Sequence, residues 1–480
     1  MIRSDRRANR RFTRSFGLVV VVLVVLVAGL AAAGAAVNFA QAPRLASVEI
    51  DLDRSIVHAG SRLSLTANQP LAEIEAGQVS VTPKTAVSTS VSGAELTVRF
   101  TGILRYNTEY TVTVTDVAGS ARNAAATLDY RFTTPDPGLY ALQRDDRVGE
   151  DGAKLPDTVR RTTLRGRGDG EVVFSAPRIQ QYVALDSHLA AVTLDDAAAA
   201  AIEVVSFAGG ETIGETVRLP LPSAGTVENL QASPSRHLIA YTFTSGPAAE
   251  GRRHQKTPFI YDLTAESGLP EEVAGADGPA VEAMDLAFVP DTASLVVHDS
   301  GHSLFLVDVL GDGALEPLGV HAEMRGFVPG SRALILADPE RGSTLDLADG
   351  EVTPFELAPS PLDEAAYPGK LILLNEQGRY ARLYLQESTG INDLISLIAV
   401  TDDDGSNVVF TPASESSRVR DVCASPNGQY LAVETIAGSG RADAYRQVPA
   451  FSGMSTTFVD LATGTSTRSV SGFMPDWCTG

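Results

Sequence analysis

The sequence predicts an all-β protein: an N-terminal transmembrane helix, a small β-sandwich, then a β-propeller, most simply of seven blades, closed by its C-terminal strand. Three observations carry that reading. Short stretches alternate polar and apolar residues with period two, as strands with one buried face do. From residue 139 onward a motif returns at intervals of roughly 40–55 residues, the mark of a radially repeated sheet. Ahead of both, Phe16 to Val37 is an apolar run without a charge.

That run comes first. Its 22 residues, at about 1.5 Å each, reach across a hydrocarbon core of about 30 Å. Residues 1–15 form a basic tail, with six Arg (3, 6, 7, 10, 11, 14) against one Asp. The positive-inside rule therefore places the N-terminus in the cytoplasm and everything after residue 37 outside. A cleaved signal peptide is the alternative, since small residues at Ala31–Ala36 and Phe39-Ala40-Gln41-Ala42 suit a peptidase. The length of the run exceeds an ordinary signal core and favours an uncleaved anchor at 16–37. Net charge is −21, so the chain beyond the basic tail carries −26. Such an acidic body repels phosphate backbones, which argues against nucleic-acid binding. Two cysteines in 480 residues exclude a disulfide scaffold and a Cys-rich zinc module.

Residues 43–135 hold the alternating stretches Arg62-Leu-Ser-Leu-Thr-Ala, Glu95-Leu-Thr-Val-Arg-Phe, Glu109-Tyr-Thr-Val-Thr-Val-Thr and Leu128-Asp-Tyr-Arg-Phe-Thr-Thr. Gly60, Gly77, Gly93, Gly102 and Gly119 punctuate them at intervals suiting a sandwich. Asn68-Gln69-Pro70, the run Leu104-Arg-Tyr-Asn107-Thr108-Glu-Tyr110-Thr-Val-Thr-Val114, and the closing Tyr130-Arg-Phe132-Thr-Thr-Pro135 carry a further likeness. On these residues the segment resembles the bacterial Ig-like domains of cell-surface proteins (SbsA-type). The resemblance implies a spacer or an adhesive module.

The repeat over 139–480 appears as Ala232-Ser-Pro-Ser-Arg-His-Leu-Ile-Ala-Tyr and Phe288-Val-Pro-Asp-Thr-Ala-Ser-Leu-Val-Val. It returns as Phe327-Val-Pro-Gly-Ser-Arg-Ala-Leu-Ile-Leu and Ala424-Ser-Pro-Asn-Gly-Gln-Tyr-Leu-Ala-Val. Its Ser-Pro-x-Gly turn resembles the WD40-like propellers related to the TolB periplasmic domain. The Trp-Asp dipeptide of true WD40 repeats is missing, and Trp477 is the only tryptophan. Blades are expected to begin near 178, 226, 282, 322, 361 and 417. Residues 139–177 read as strands two to four of a further blade, and Phe473-Met-Pro-Asp-Trp-Cys478 as its missing first strand. Joining them leaves no unpaired edge. Cys423, in the first strand of the last blade, and Cys478 in the closing strand are candidates for a structural disulfide worth about 3 kcal/mol. Two inert buried thiols are the alternative.

In a propeller the second-to-third-strand loops and the blade junctions share one face, and the remaining turns share the other. Third-to-fourth turns are short here (Gly209-Gly210, Gly311-Asp312-Gly313, Asp349-Gly350, Asp404-Gly405, Thr463-Gly464), whereas the loops near 145–157, 195–201, 244–257, 386–392 and 435–455 are long. Long loops on a rigid scaffold are where function tends to sit, and the linker Pro135-Asp-Pro-Gly138 makes this long-loop face the one distal to the membrane. Two loops stand out chemically. Arg252, Arg253, His254 and Lys256 form a basic island on the acidic body, and Arg441, Tyr445, Arg446 and Phe451 give an Arg and aromatic mixture favoured at interfaces.

Catalytic chemistry is harder to find. No Gly-x-Ser-x-Gly elbow, phosphate loop or dinucleotide fingerprint occurs, and no catalytic residue or cofactor is assigned. His298 and His302 flank a hairpin, and Asp402-Asp403-Asp404-Gly405 invites a calcium reading; neither has the ligand spacing of a dedicated site. The expectation is a single-pass protein of the bacterial cell membrane, with an Ig-like stalk and a propeller that binds or scaffolds at the envelope. Its partner would be an envelope protein or a cell-wall component. The alternative is an extracytoplasmic propeller enzyme, a metal-dependent hydrolase or lyase working at the tunnel mouth.

Overall fold

A computed structural model describes residues 22–26, 42–120, 124–144, 154–208, 211–247, 249, 251–265, 268–274, 281–311, 313–339, 341–387 and 394–478. Among them no helix is long and apolar enough to cross a membrane. Residues 22–26 are helical; the rest of the 16–37 run and the basic tail lie outside the described residues.

The chain divides into two compact units. The smaller comprises residues up to Asp51, Ser61–Thr101 and Glu109–Thr133. Its strands are β1 (Leu45–Ile50), β2 (Arg62–Ala67), β3 (Val79–Thr82), β4 (Val87–Ser92), β5 (Glu95–Phe100), β6 (Glu109–Ala118) and β7 (Ala125–Thr133). They form two antiparallel sheets, ordered β1-β2-β5-β4 and β3-β6-β7. The alternation read from sequence is the alternation of burial: Leu63, Leu65, Leu96, Val98 and Phe100 point inward from the first sheet, and Tyr110, Val112, Val114 and Phe132 from the second. Phe132 meets Tyr110 at 5.5 Å and Phe100 at 6.1 Å between ring centroids, the aromatic centre of a sandwich core.

The larger unit comprises Leu52–Gly60, Gly102–Thr108 and Thr134–Gly480. Two stretches from within the Ig-like span of the sequence thus belong to it. Its sheets are up-and-down meanders. One is three-stranded, from β8 (Gly138–Gln143), β9 (Asp157–Thr163) and β10 (Glu171–Ala176); six four-stranded sheets follow, over 179–219, 225–272, 283–320, 323–354, 367–410 and 418–471. The blade starts expected from the repeat agree to within one residue except the fifth. There, 362–365 form a helical turn, α1 (Leu362–Ala365), and the strand begins at Tyr367. Pro361 at the cap and Asp363 and Glu364 in the first turn favour that turn over an extended start.

Within a blade, burial falls from the inner strands to the outer one. Leu238–Ser245 is buried along nearly its whole length, whereas Val352–Pro354 is exposed throughout. Inner strands have a neighbouring sheet on each face, so they read as continuous apolar runs. The cores are sandwiched between sheets. Ile202 and Tyr241 belong to the cluster joining the sheets at 179–219 and 225–272, and Leu286 and Leu295 to the next cluster. The series continues through Leu334, Tyr380 and Leu431, and returns through Tyr430 and Phe458 to Leu139 and Ala141 of β8.

The closing strand is shorter than expected. Only Phe473 pairs with Leu142, by reciprocal backbone bonds of 2.8 and 2.9 Å. Gly472 and Met474, with φ of 117° and 50°, bend the chain on either side of it, and Asp476–Cys478 turn into a 3₁₀ helix. Cys423 and Cys478 form a disulfide with their Cα atoms 5.6 Å apart.

Candidate functional site

The two faces of the larger unit are built differently. On the long-loop face, the 436–455 connection folds as a small hairpin of its own. Ala442 bridges Phe451, Asp443 N–H donates to the Ala450 carbonyl at 2.9 Å, and Ser452 N–H donates to Arg441 at 2.9 Å. Tyr445 is turned inward: it is buried, and its hydroxyl donates to the Asp157 carboxylate at the start of β9. Burial pushes its phenol well above the ordinary range, and the neighbouring Asp157 charge adds to that.

Arg144, just past β8, organises this region. Its guanidinium lies 3.6 Å above the Tyr445 ring. It pairs with Asp443 at 2.7 Å and donates to the carbonyls of Val448 at 2.8 Å, Ile179 at 2.9 Å and Gln180 at 2.5 Å. The group is almost fully buried, and burial lowers its pKa against the opposing pull of Asp443. A buried guanidinium is tolerated because its donors face fixed acceptors. Gln447 extends the same seam by donating to Glu228 at 2.6 Å. One loop of the last blade is therefore tied to the first three. A pocket of about 200 Å³ opens beside it, with Arg144, Phe451, Met454 and Phe473 in its wall. Arg441 and Arg446 remain exposed on the hairpin's outer side.

The basic island is less unified than its sequence suggests. Arg252 is exposed and pairs with Glu272 at 2.7 Å; Arg253 donates to the Pro247 carbonyl at 3.3 Å. His254 packs edge-on against Phe259 and Phe243, at 5.2 and 6.0 Å, so it serves the loop's own packing. Lys256 takes a positive φ of 44° and donates its N–H to Thr244 at 2.9 Å. Of the four, Arg252, Arg253 and Lys256 are exposed and His254 is half-buried. His298 is buried with Nε2 donating to the His321 carbonyl at 2.9 Å, and its ring lies 5.9 Å from that of His302. Asp402 caps its own hairpin by accepting from Asp404 N–H at 3.1 Å. Among the described residues no three His, Cys, Asp or Glu side chains are grouped to hold a metal.

On the opposite face, the turns of the repeat motif are covered by the chain's own segments. Leu104-Arg-Tyr106 lies over the Ser425-Pro-Asn-Gly-Gln429 turn. Asn427 donates to the Leu104 carbonyl at 3.0 Å, and Tyr106 N–H donates to Gln429 at 2.7 Å. The Tyr106 ring stacks against Trp477 at 5.7 Å and Tyr430 at 6.3 Å, and those two rings meet at 6.3 Å, a three-ring cluster beside the Cys423–Cys478 bridge. Farther round, His58 reaches the Asp186 and Asp291 turns. Asp476 is half-buried here, accepting from Tyr140 N–H at 2.8 Å; desolvation raises its carboxyl to about 7.

Sequence reasoning named the loops and missed the residues that hold them. Arg144, Asp157 and Asp443 are scattered singles whose convergence exists only once the ring is closed. No local signal marks them: Arg144 opens the charged run Arg144-Asp-Asp-Arg147, and Asp157 stands among Lys154, Arg160 and Arg161.

Comparison with known proteins identifies the first part of the chain by family. Residues 32–134 match the model of the bacterial Ig-like domain family. No curated protein matches the chain. Among solved structures, a protein from Lactobacillus plantarum aligns over 71% of this chain and 96% of its own, with 14% identity and a TM-score of 0.39. One of two prolyl endopeptidases studied for inter-domain dynamics aligns over 71% of this chain but only 50% of its own, at 13% identity and TM-score 0.45. The Cps50 (Swd1) β-propeller domain of Myceliophteria thermophila aligns over 62% of this chain and 86% of its own, at 13% identity and TM-score 0.36.

Proposed function

We propose that this protein is a binding or scaffolding component of the bacterial cell envelope, and that it engages its partner through the long-loop face of a closed, seven-bladed propeller. The observation that supports this most directly is the contrast between the faces. The repeat turns spend their hydrogen-bonding capacity on the chain's own 52–60 and 102–108 segments. The long-loop face instead offers a braced hairpin with Arg441 and Arg446 outward, a pocket beside Phe451, and the exposed Arg252 and Arg253. Arginines on rigid supports over an otherwise acidic body suit an anionic patch of an envelope protein or cell-wall polymer. Anchoring by residues 16–37, with the N-terminus in the cytoplasm, is part of the same proposal and rests on the charge-free run and the arginines preceding it.

The test is affinity capture from the organism's own membranes. The wild-type ectodomain is compared with a variant carrying Arg252→Glu, Arg253→Glu, Arg441→Glu and Arg446→Glu. Tyr445 is left in place because it is structural. A partner held by the wild type and lost by the variant, at equal thermal stability, is the expected result. Stoichiometric metal by elemental analysis, together with identical capture by both samples, would overturn the reading in favour of a tunnel enzyme.

A further inference from the structure

His58 lies in the stretch Leu52–Gly60 of the larger unit, after one helical turn over Leu52–Ser55. Its ring is buried and carries a carboxylate at each nitrogen. Nδ1 is 2.5 Å from Asp291 Oδ1, and Nε2 is 2.9 Å from Asp186 Oδ2. The two acids come from different blades: Asp186 from the first turn of the 179–219 sheet, Asp291 from the first turn of the 283–320 sheet. The stretch thus crosses from one repeat turn to another that is not its neighbour. Asp291 also accepts from Ala59 N–H at 3.0 Å, and Leu104 N–H donates to the Ser55 carbonyl at 2.9 Å.

A neutral imidazole has one N–H, so it can donate to only one of two carboxylates. The other contact would then set a nitrogen lone pair against an anionic oxygen at hydrogen-bond distance. Only the imidazolium satisfies both, and only it balances the two acids that flank the buried ring, Asp291 half-buried and Asp186 open to solvent. We propose that residues 52–60 form a protonation-dependent strap, clamped across two repeat turns while His58 is charged and released when it loses its proton.

The charges around the ring agree with this. Burial alone would lower the His58 pKa, but its bonds to Asp186 and Asp291 and their charges outweigh that and raise it to about 9. Asp291 is held below the usual carboxylate range by His58 and Ala59, against its own burial, with Arg332 assisting. On the strap itself the charged side chains are Asp53 and Arg54, both exposed. The folded-state value exceeds the unfolded one near 6.5. The clamp is therefore at full strength below pH 6.5 and is lost as pH rises through about 9. Linkage over that interval weakens closure by on the order of a hundredfold.

Hydrogen exchange of the full ectodomain between pH 6 and 10, normalised to intrinsic rates, tests the strap. Amides of 55–60 should be best protected near pH 6, lose protection steadily above pH 6.5 and stand at least tenfold lower by pH 10, while the β-strand amides of the 225–272 sheet do not change. Asp186→Asn removes one acid and keeps the fold, so it should move the midpoint down by at least one pH unit. His58→Gln should leave 55–60 poorly protected at every pH. A parallel NMR titration with labelled histidine reads His58 without mutation. A His58 midpoint at or below 6.5, or protection of 55–60 that does not vary with pH in the wild type, would overturn the proposal.

Discussion

The two faces of the propeller unit are made from opposite ends of the same strands, yet they use their polar groups in opposite ways. On the repeat-turn face, Asn427, Gln429, Asp186 and Asp291 all bond to the chain's own 52–60 and 102–108 stretches. Tyr106, Trp477, Tyr430 and the disulfide fill the space behind them. On the long-loop face the internal polar contacts concentrate in one seam around Arg144, and the outer sides of the hairpins remain exposed. A ring of sheets has to be closed and also has to present something. Here the repeat-turn end is covered by the chain's own stretches, while the long-loop end is held by one seam and keeps the outer sides of its hairpins exposed.

The largest expected effect belongs to the repeat-turn face. The Cys423–Cys478 bridge closes a loop across 55 positions, for which chain entropy gives about 4 kcal/mol. Replacing both cysteines by serine should lower unfolding stability by about that amount in urea titration. The fold should persist at low denaturant, since Leu142 and Phe473 still pair. A loss below about 1 kcal/mol would show that the stacked Tyr106 and Trp477 hold the terminus without the bridge, and would sharpen the contrast between faces.

How much of this was legible in the sequence follows from the range of each interaction. Strands β2 and β5 were readable to the residue, because a two-residue period under one buried face is a local signal. The repeat set the blade starts for the same reason, failing only where Pro361 and the acids after it nucleate a turn. The disulfide followed from a topological argument about which strands become neighbours. Tyr445 was read as an interface residue because its loop is long and aromatic. Nothing local to 441–454 announces that Arg144 and Asp157, some 300 positions earlier, will bury it. His58 was invisible for the same reason. Its segment sits between strands of the Ig-like span, and its partners lie in two separate repeats.

A second effect distinguishes the faces by pH. Asp476, half-buried on the repeat-turn face, has its carboxyl raised to about 7, mainly by desolvation. A raised carboxyl favours the folded state when protonated. Its contribution is complete below an unfolded value near 4 and is lost as pH climbs to about 7. The slope cannot exceed about 1.4 kcal/mol per pH unit for one group. Asp476→Asn should therefore flatten the decline of Tm between pH 4 and 7 and leave the region above pH 7 parallel to wild type, where His58 still titrates. An unchanged slope in the variant would place the pH dependence elsewhere.

The smallest effect is expected where function is proposed. The Arg252 to Glu272 pair, at 2.7 Å, joins an exposed guanidinium to a half-buried acid, and such pairs contribute between zero and about 1 kcal/mol. Arg252→Ala should leave the unfolding free energy from denaturant titration within about 0.5 kcal/mol of wild type, because the backbone of the 245–257 loop is held by Ser245, His254 and Thr244 without it. If that substitution instead costs as much as the disulfide, the long-loop face is structural like its opposite, and the division of labour between the two ends of the strands fails. If stability is unchanged while capture weakens, the charge at position 252 is there for a partner and not for the fold.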